Sequence, residues 1–232
     1  MSKIYFVLPA YNEAENIESV INQWYPIVEK LGDGSRLVIA NDGSRDDTYS
    51  IMCGLRNSYP LLVPLDKMNS GHGATLLYLY RYAIEHGAEY VFQTDSDGQT
   101  DPNEFWKLYE NRQNYDFLIG YRKGRQDGFS RIVVTKVLRL VLFVLMKVWV
   151  KDSNTPFRLM KIDRLSIILE KIPSDFFLAN VAICAVAKKS GERCVWYPIT
   201  FKPRQGGVNS INLKRIIGIG FKALNDFKYI GD

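Results

Sequence analysis

Asp95 and Asp97 stand one residue apart in the segment Gln93-Thr94-Asp95-Ser96-Asp97-Gly98-Gln99-Thr100-Asp101-Pro102, directly after the apolar run Tyr90-Val91-Phe92. Carboxylates at i and i+2, where a strand gives way to a loop, can converge on one hard divalent ion such as Mg²⁺ or Mn²⁺, and Gln99 offers a further oxygen. Such an ion neutralises a diphosphate leaving group. Two other segments carry polar groups after apolar runs: Pro9-Ala10-Tyr11-Asn12-Glu13 and Asn41-Asp42-Gly43-Ser44-Arg45-Asp46-Asp47-Thr48. Asp42 can accept from a base N–H, and Tyr11 offers a ring for a base to stack on. Gly71-His72-Gly73 is not a dinucleotide-binding fingerprint, because Leu76 replaces its third glycine and the loop follows a third strand. His72 and His86 have no second histidine at ligand spacing and read as structural.

These groups need a frame that brings distant segments together. Over residues 1–120 short apolar runs alternate with longer helical stretches, which predicts βαβ units and a mostly parallel, Rossmann-like sheet flanked by helices, an α/β fold. Strands are expected at Lys3–Leu8, Arg36–Ala40, Leu61–Leu65, Tyr90–Thr94, Asp116–Gly120 and around Arg193–Phe201. Helices are expected at about Glu13–Lys30, Asp46–Asn57, Gly73–His86, Pro102–Arg112 and Phe177–Lys189. Asn12 and Glu15 have the spacing of a capping box, Pro102 suits the first turn of its helix, and Gly32 and Gly87 suit helix ends. In such sheets ligands bind beyond the carboxyl ends of the strands, which is where the polar segments fall.

The chain has 232 residues, 47% of them hydrophobic, enough for one large domain. Cys53, Cys184 and Cys194 form no CxxC pair and suit a reducing compartment. The short apolar run Ile4 to Pro9 lacks the length and cleavage site of a signal peptide, so a cytoplasmic location is expected. A net charge of +5 admits anionic partners. With no basic block and no RNA-binding aromatic motif, nucleic acid is set aside. Residues 132–150 are apolar apart from Thr135 and the basic Lys136, Arg139 and Lys147, and contain neither Gly nor Pro. At 100° per residue the basic groups fall in one arc, which predicts an amphipathic basic helix lying at an anionic membrane surface. A bilayer crossing is disfavoured, since each central Lys or Arg costs about 2.5–3.5 kcal/mol on insertion scales.

The motifs PAYNEAENI, NDGSRDDT, GHGATL and TDSDGQTDP, in this order, resemble the family 2 glycosyltransferases of the GT-A fold. The resemblance implies a nucleotide-diphospho-sugar transferase in which Pro9, Tyr11, Glu13 and Asp42 contact the nucleoside, Asp95 the ribose and metal region, and Asp97 the metal. The DxDxQ pattern of Asp95, Asp97 and Gln99 is most similar to the polyprenyl- or dolichyl-phosphate sugar transferases. Gly120-Tyr121-Arg122, Arg131, DSNTPFRLM from Asp152 to Met160, and the loop from Arg204 to Ser210 resemble the same branch, although Tyr121 replaces a smaller residue. That branch implies a UDP- or GDP-linked donor, a polyprenyl phosphate acceptor and inversion at the anomeric carbon. A lipid monophosphate, with a second pKa of about 6, is largely anionic at neutral pH and needs arginines rather than a base. Arg122, Arg131 and Arg204 are the expected holders, with residues 1–120 forming the donor half and 121–232 the acceptor half. Relatives acting on hydroxyls carry a carboxylate near the start of the helix at Phe176–Asn180, where this chain has only Asp175. The resemblance further implies attachment at the inner face of the membrane, directly or through a membrane-spanning partner. A soluble family 2 transferase acting on a saccharide hydroxyl and a non-catalytic membrane-surface module are the alternatives.

Overall fold

The computed structural model describes residues 2–32, 34–122, 142–202 and 227. Seven strands form one sheet: β1 (Ile4–Ala10), β2 (Arg36–Asp42), β3 (Leu62–Lys67), β4 (Tyr90–Thr94), β5 (Phe117–Arg122), β6 (Phe157–Lys161) and β7 (Cys194–Ile199), in the order β3-β2-β1-β4-β6-β5-β7. Every neighbouring pair is parallel except those of β6, which runs antiparallel to both β4 and β5. The helices are α1 (Ile17–Leu31), α2 (Thr48–Leu55), α3 (His72–Glu85), α4 (Phe105–Glu110), α5 (Ile162–Glu170) and α6 (Ala179–Lys189).

Side-chain alternation along β1 divides the interior in two. Tyr5 and Val7 face a core built with α3, α5 and α6, while Ile4, Phe6 and Leu8 face one built with α1, α2 and α4. All seven β1 residues are buried, as expected of a strand covered on both faces. An aromatic cluster anchors the second core: the Phe6 ring lies 4.8 Å from that of Phe105 and 5.1 Å from that of Phe92, and Trp24 lies 5.2 Å from Phe92.

Several local expectations change. The strand β1 continues through Pro9 and Ala10, so its end reaches the polar loop. No capping box forms: Asn12 takes φ 53°, Asn16 occupies the N-cap position, and the Glu13 carbonyl accepts from the amides of Asn16 and Ile17. Pro102 opens a short 3-10 turn in front of α4, with Asp101 accepting from the Asn103 amide. Two further elements, β6 and α5, lie outside the expected strands and helices. Of the helix expected at 132–150, residues 142–146 are helical; Lys147 then takes φ 54° and the chain extends, burying Val148 and Val150 while Phe143, Val144 and Trp149 stay exposed. Residues 132–141 lie outside the described residues. No described helix is long and apolar enough to cross a membrane.

At the amino end of β5, far along the sheet from the polar loops, buried Asp116 accepts from Arg193 Nη2 at 2.7 Å and Nε at 2.9 Å and from Lys161 Nζ at 3.2 Å. It thereby ties β5 to the starts of β7 and α5. The bidentate Arg193 guanidinium holds its carboxyl well below the usual carboxylate range. A folded-state pKa below the unfolded value of about 3.9 gives stability that is present above that pH and lost as pH falls further. Asp116→Asn is therefore expected to lower Tm at pH 7 and to flatten the fall of Tm below about pH 4, as read by thermal melts between pH 7 and pH 3.

Candidate functional site

Because β1 to β4 are mutually parallel, their carboxyl ends and the loops that follow share one edge. The loops after β1 and β2 are laced together. The Asn12 amide donates to Ser44 Oγ (3.0 Å), the Arg45 amide to Asn12 Oδ1 (2.9 Å), the Glu13 amide to Thr48 Oγ1 (2.9 Å) and the Ala14 amide to Asp46 Oδ2 (3.1 Å). Asp46 also accepts from the Thr48 amide and hydroxyl at the start of α2. The two polar segments are therefore one hydrogen-bonded unit.

Asp42 fixes the third loop to this unit. Its carboxylate accepts from Lys67 Nζ at 2.5 Å, the Ser70 amide at 2.9 Å and the Gly71 amide at 3.0 Å, while its carbonyl accepts from Asn69 Nδ2. Burial works to raise its pKa; the Lys67 ammonium, the Ser70 amide and the Thr75 hydroxyl outweigh burial and hold the carboxyl below its ordinary value. Gly43, at φ +64°, lets the turn pass Asn69, whose amide nitrogen lies 2.7 Å from where a Cβ would sit.

The fourth loop carries the acidic pair. Ser96 Oγ donates to the Pro9 carbonyl (2.8 Å), Thr94 and Thr100 share a hydroxyl hydrogen bond (2.8 Å), and the Gln99 amide donates to Asp97 Oδ1 (3.2 Å). Burial pushes the Asp95 carboxyl up to about 6; His72 opposes this shift and Asp97 adds to it. Asp95 and Asp97 could offer hard oxygen donors to a metal, and among the described residues no cluster of three or more His, Cys, Asp or Glu stands ready for one. A divalent ion bound by two carboxylates keeps sites for water and phosphate oxygens, the usual habit of Mg²⁺.

The four loops enclose a cleft of about 370 Å³ lined by Pro9, Tyr11, Glu13, Asp42, Asp95 and Asp97 together with Ala10, Asn69, Gly71, His72 and Ser96. Six residues singled out from sequence thus meet around one space. Gln99 is not in its lining: its side chain donates to the Lys202 carbonyl (2.9 Å), and its own carbonyl accepts from the Lys202 amide (2.7 Å). Arg122, at the end of β5, has its guanidinium 4.2 Å from the centre of the Phe201 ring. Arg131 and Arg204 lie outside the described residues. His72, which reads as structural in the sequence, begins α3 inside the cleft with Nε2 3.9 Å from Asp95 Oδ1. Its partner is distant in sequence, and the available signal was its place after Gly71 on the loop-bearing edge. His86 is structural, stacked on Tyr82 with Nδ1 2.8 Å from the Tyr82 carbonyl.

The family model described as glycosyl transferase family 2 matches residues 5–155, which spans all four loops of the cleft. The chain belongs to that family. This family 2 glycosyltransferase is 25% identical over 207 residues to the UDP-N-acetylglucosamine–dolichyl-phosphate N-acetylglucosaminyltransferase of Methanococcus voltae, covering 81% of this chain and 80% of the relative. It is 24% identical over 225 residues to the polyprenol monophosphomannose synthase of Mycolicibacterium smegmatis, covering 93% and 83%. Its fold is the GT-A fold of glucosyl-3-phosphoglycerate synthase from Mycobacterium tuberculosis. The structure of that enzyme with Mn²⁺, uridine diphosphate and glucosyl-3-phosphoglycerate superposes with a TM-score of 0.69 at 19% identity, covering 100% of this chain and 81% of the other.

The His72 end of α3 is held by close packing. A Cβ on Gly73 would lie 2.3 Å from the Phe177 carbonyl oxygen and 2.4 Å from that of Phe176, both backbone atoms unable to swing away. The helix-propensity gain of Gly73→Ala, about 1 kcal/mol, is outweighed by overpacking of about 1–3 kcal/mol, to which displacement of two backbone carbonyls adds. The variant is expected to melt a few degrees lower than the parent in differential scanning calorimetry.

Proposed function

We propose that this family 2 glycosyltransferase moves a sugar from a UDP- or GDP-linked donor to a polyprenyl phosphate, with a divalent metal and inversion at the anomeric carbon. The observation that carries the donor half of the reading is the convergence of Tyr11, Glu13 and Asp42 with Asp95 and Asp97 around one cleft. In this reading Tyr11, the most exposed of these, supplies the stacking face for the base, and Pro9, Glu13 and Asp42 complete the nucleoside site. Asp95 and Asp97 hold Mg²⁺ or Mn²⁺, which when bound neutralises charge on the diphosphate as it departs. Gln99 serves by tying the acidic loop to Lys202, two residues before Arg204.

The acceptor half follows from what stands near the cleft. The relatives from Methanococcus and Mycolicibacterium are named for dolichyl phosphate and polyprenol monophosphate chemistry. A phosphate monoester brings its own anionic oxygen: that oxygen attacks the anomeric carbon, the bond from that carbon to the diphosphate oxygen breaks, and the nucleoside diphosphate leaves on the opposite face. No protein base is required. In keeping with this, the start of α6 near the Gly73 contact presents Asn180, a buried amide, while Asp175 faces solvent. Arg122, Arg131 and Arg204 hold the acceptor phosphate as planar bidentate donors. Exposed Phe143, Val144 and Trp149, with Lys147 beside them, supply an apolar and basic surface for an anionic bilayer that carries the lipid.

Two measurements test the two halves. Asp97→Asn keeps side-chain volume and removes a ligand charge, so calorimetric titration is expected to show loss of the Mn²⁺-dependent part of UDP or GDP affinity with an unchanged melting temperature. Retention of that part removes Asp97 from the site. With polyprenyl phosphate presented in anionic vesicles, Arg204→Lys is expected to lower sugar transfer at least tenfold while nucleotide affinity stays within twofold, because a point charge cannot replace a fork. Transfer at the parental rate in both Arg204→Lys and Arg204→Ala rejects the acceptor assignment.

A further inference from the structure

Behind the acidic loop lies a buried polar chain that the donor site does not use directly. Arg158, on β6 beside Gln93 of β4, is completely buried, and its hydrogen bonds run to the carbonyls of Ser153, Thr155 and Asn180 and to Cys184 Sγ. Among the described residues these partners are neutral, so a full guanidinium charge sits inside the protein without a contacting carboxylate. Burial of an ion without a counter-ion is costly, and the arrangement calls for a compensating charge nearby. The next polar residues lead to one. Nη1 of Arg158 donates to the backbone carbonyl of Asn180 at 3.1 Å; the side-chain Nδ2 of the same residue donates to Gln93 Oε1 at 3.3 Å; and Gln93 Nε2 donates to Asp95 Oδ1 at 3.2 Å. Tyr80, also fully buried, donates its hydroxyl to Asn180 Oδ1 at 3.2 Å.

We propose that Arg158, Asn180 and Gln93 form a buried relay that sets the orientation of Asp95, with Gln93 and Asn180 acting as positioning residues for the metal-bearing carboxylate. The polarity of the chain allows one arrangement. An ionised Asp95 carboxylate only accepts, so the Gln93 nitrogen faces it, the Gln93 oxygen faces the Asn180 nitrogen, and the Asn180 oxygen is left to accept from Tyr80. Asp95 Oδ1 thereby accepts from Gln93, and the carboxylate cannot rotate without breaking this part-buried hydrogen bond. The relay joins α6, β6 and β4, so the acceptor-side half of the chain takes part in shaping a donor-side ligand. Preorganised ligands bind a metal–nucleotide pair without first being ordered.

The inference rests on the donor-site reading above, and the test separates the two. Gln93→Met keeps length and volume and removes both hydrogen bonds; Asn180→Leu breaks the relay one residue further from the cleft. Affinity for UDP and for GDP is measured by calorimetry with Mn²⁺ and with chelator, in the parent, in each variant, in Asp95→Asn and in Asp95→Asn combined with Gln93→Met. The expected result is a roughly tenfold loss of Mn²⁺-assisted affinity in Gln93→Met and in Asn180→Leu, with affinity in chelator within twofold of the parent. Against the Asp95→Asn background Gln93→Met should cost less than a further twofold, the signature of residues acting through one group. A purely structural role would lower affinity equally with and without the metal. Parental Mn²⁺ dependence in whichever relay variants fold, or an equal cost of Gln93→Met in both backgrounds, overturns the relay alone. Parental Mn²⁺ dependence in Asp95→Asn overturns the donor-site reading and the relay with it.

Discussion

Parallel pairing of β1 with its neighbours β2 and β4 is the constraint from which the rest follows. A parallel pair cannot be closed by a tight turn, so the connections among β1 to β4 cross back over the sheet through helices and each of these four strands delivers its carboxyl end to the same edge. The residues around the cleft come from four such ends and are brought together by topology, with little help from sequence proximity. Burial of every β1 residue on both faces makes that strand the fixed reference for the others.

Placement at an edge does not by itself make a site, since loops are the least constrained part of a fold. Here the loops are constrained by one another. Four hydrogen bonds join the β1 and β2 loops, the Asp42 carboxylate gathers one donor from the end of β3 and two from the loop that follows, and Ser96 hooks the acidic loop onto Pro9. Small polar side chains bonding to backbone amides do most of this, so the same residues that would read as turn formers become structural ties between turns.

The sequence was most informative where apolar runs were uninterrupted. β1, β2 and β4 and the helices between them carry unmixed periodicities, and the polar segments that follow them mark the edge where the cleft forms. β6 was hidden because Phe157-Arg158-Leu159-Met160-Lys161 places a charge in its middle, and nothing local signals that Arg158 is wholly buried with its charge met by carbonyls. The start of α1 lies beyond the expected one because Asn12 is taken up by the neighbouring loop, its side chain accepting from Arg45 and not from its own helix. His72 escaped for a related reason. Its neighbour Asp95 belongs to another strand end, a proximity that exists only after the sheet has formed.

The place of β6 in the sheet bears on how the chain folds. β4 pairs with β1 on one side, but on the other side its partner is β6, which begins at Phe157, and β5 meets the rest of the sheet only through β6. As the polypeptide leaves the ribosome, the first four strands can assemble while β5 emerges with no sheet neighbour and β4 presents an open edge. Both wait for a segment made much later, inserted between them in the opposite direction. Such long-range closure slows folding and exposes an aggregation-prone edge in the interval. The strand that joins the two parts of the sheet is therefore made well after the first four, although it sits inside the sheet.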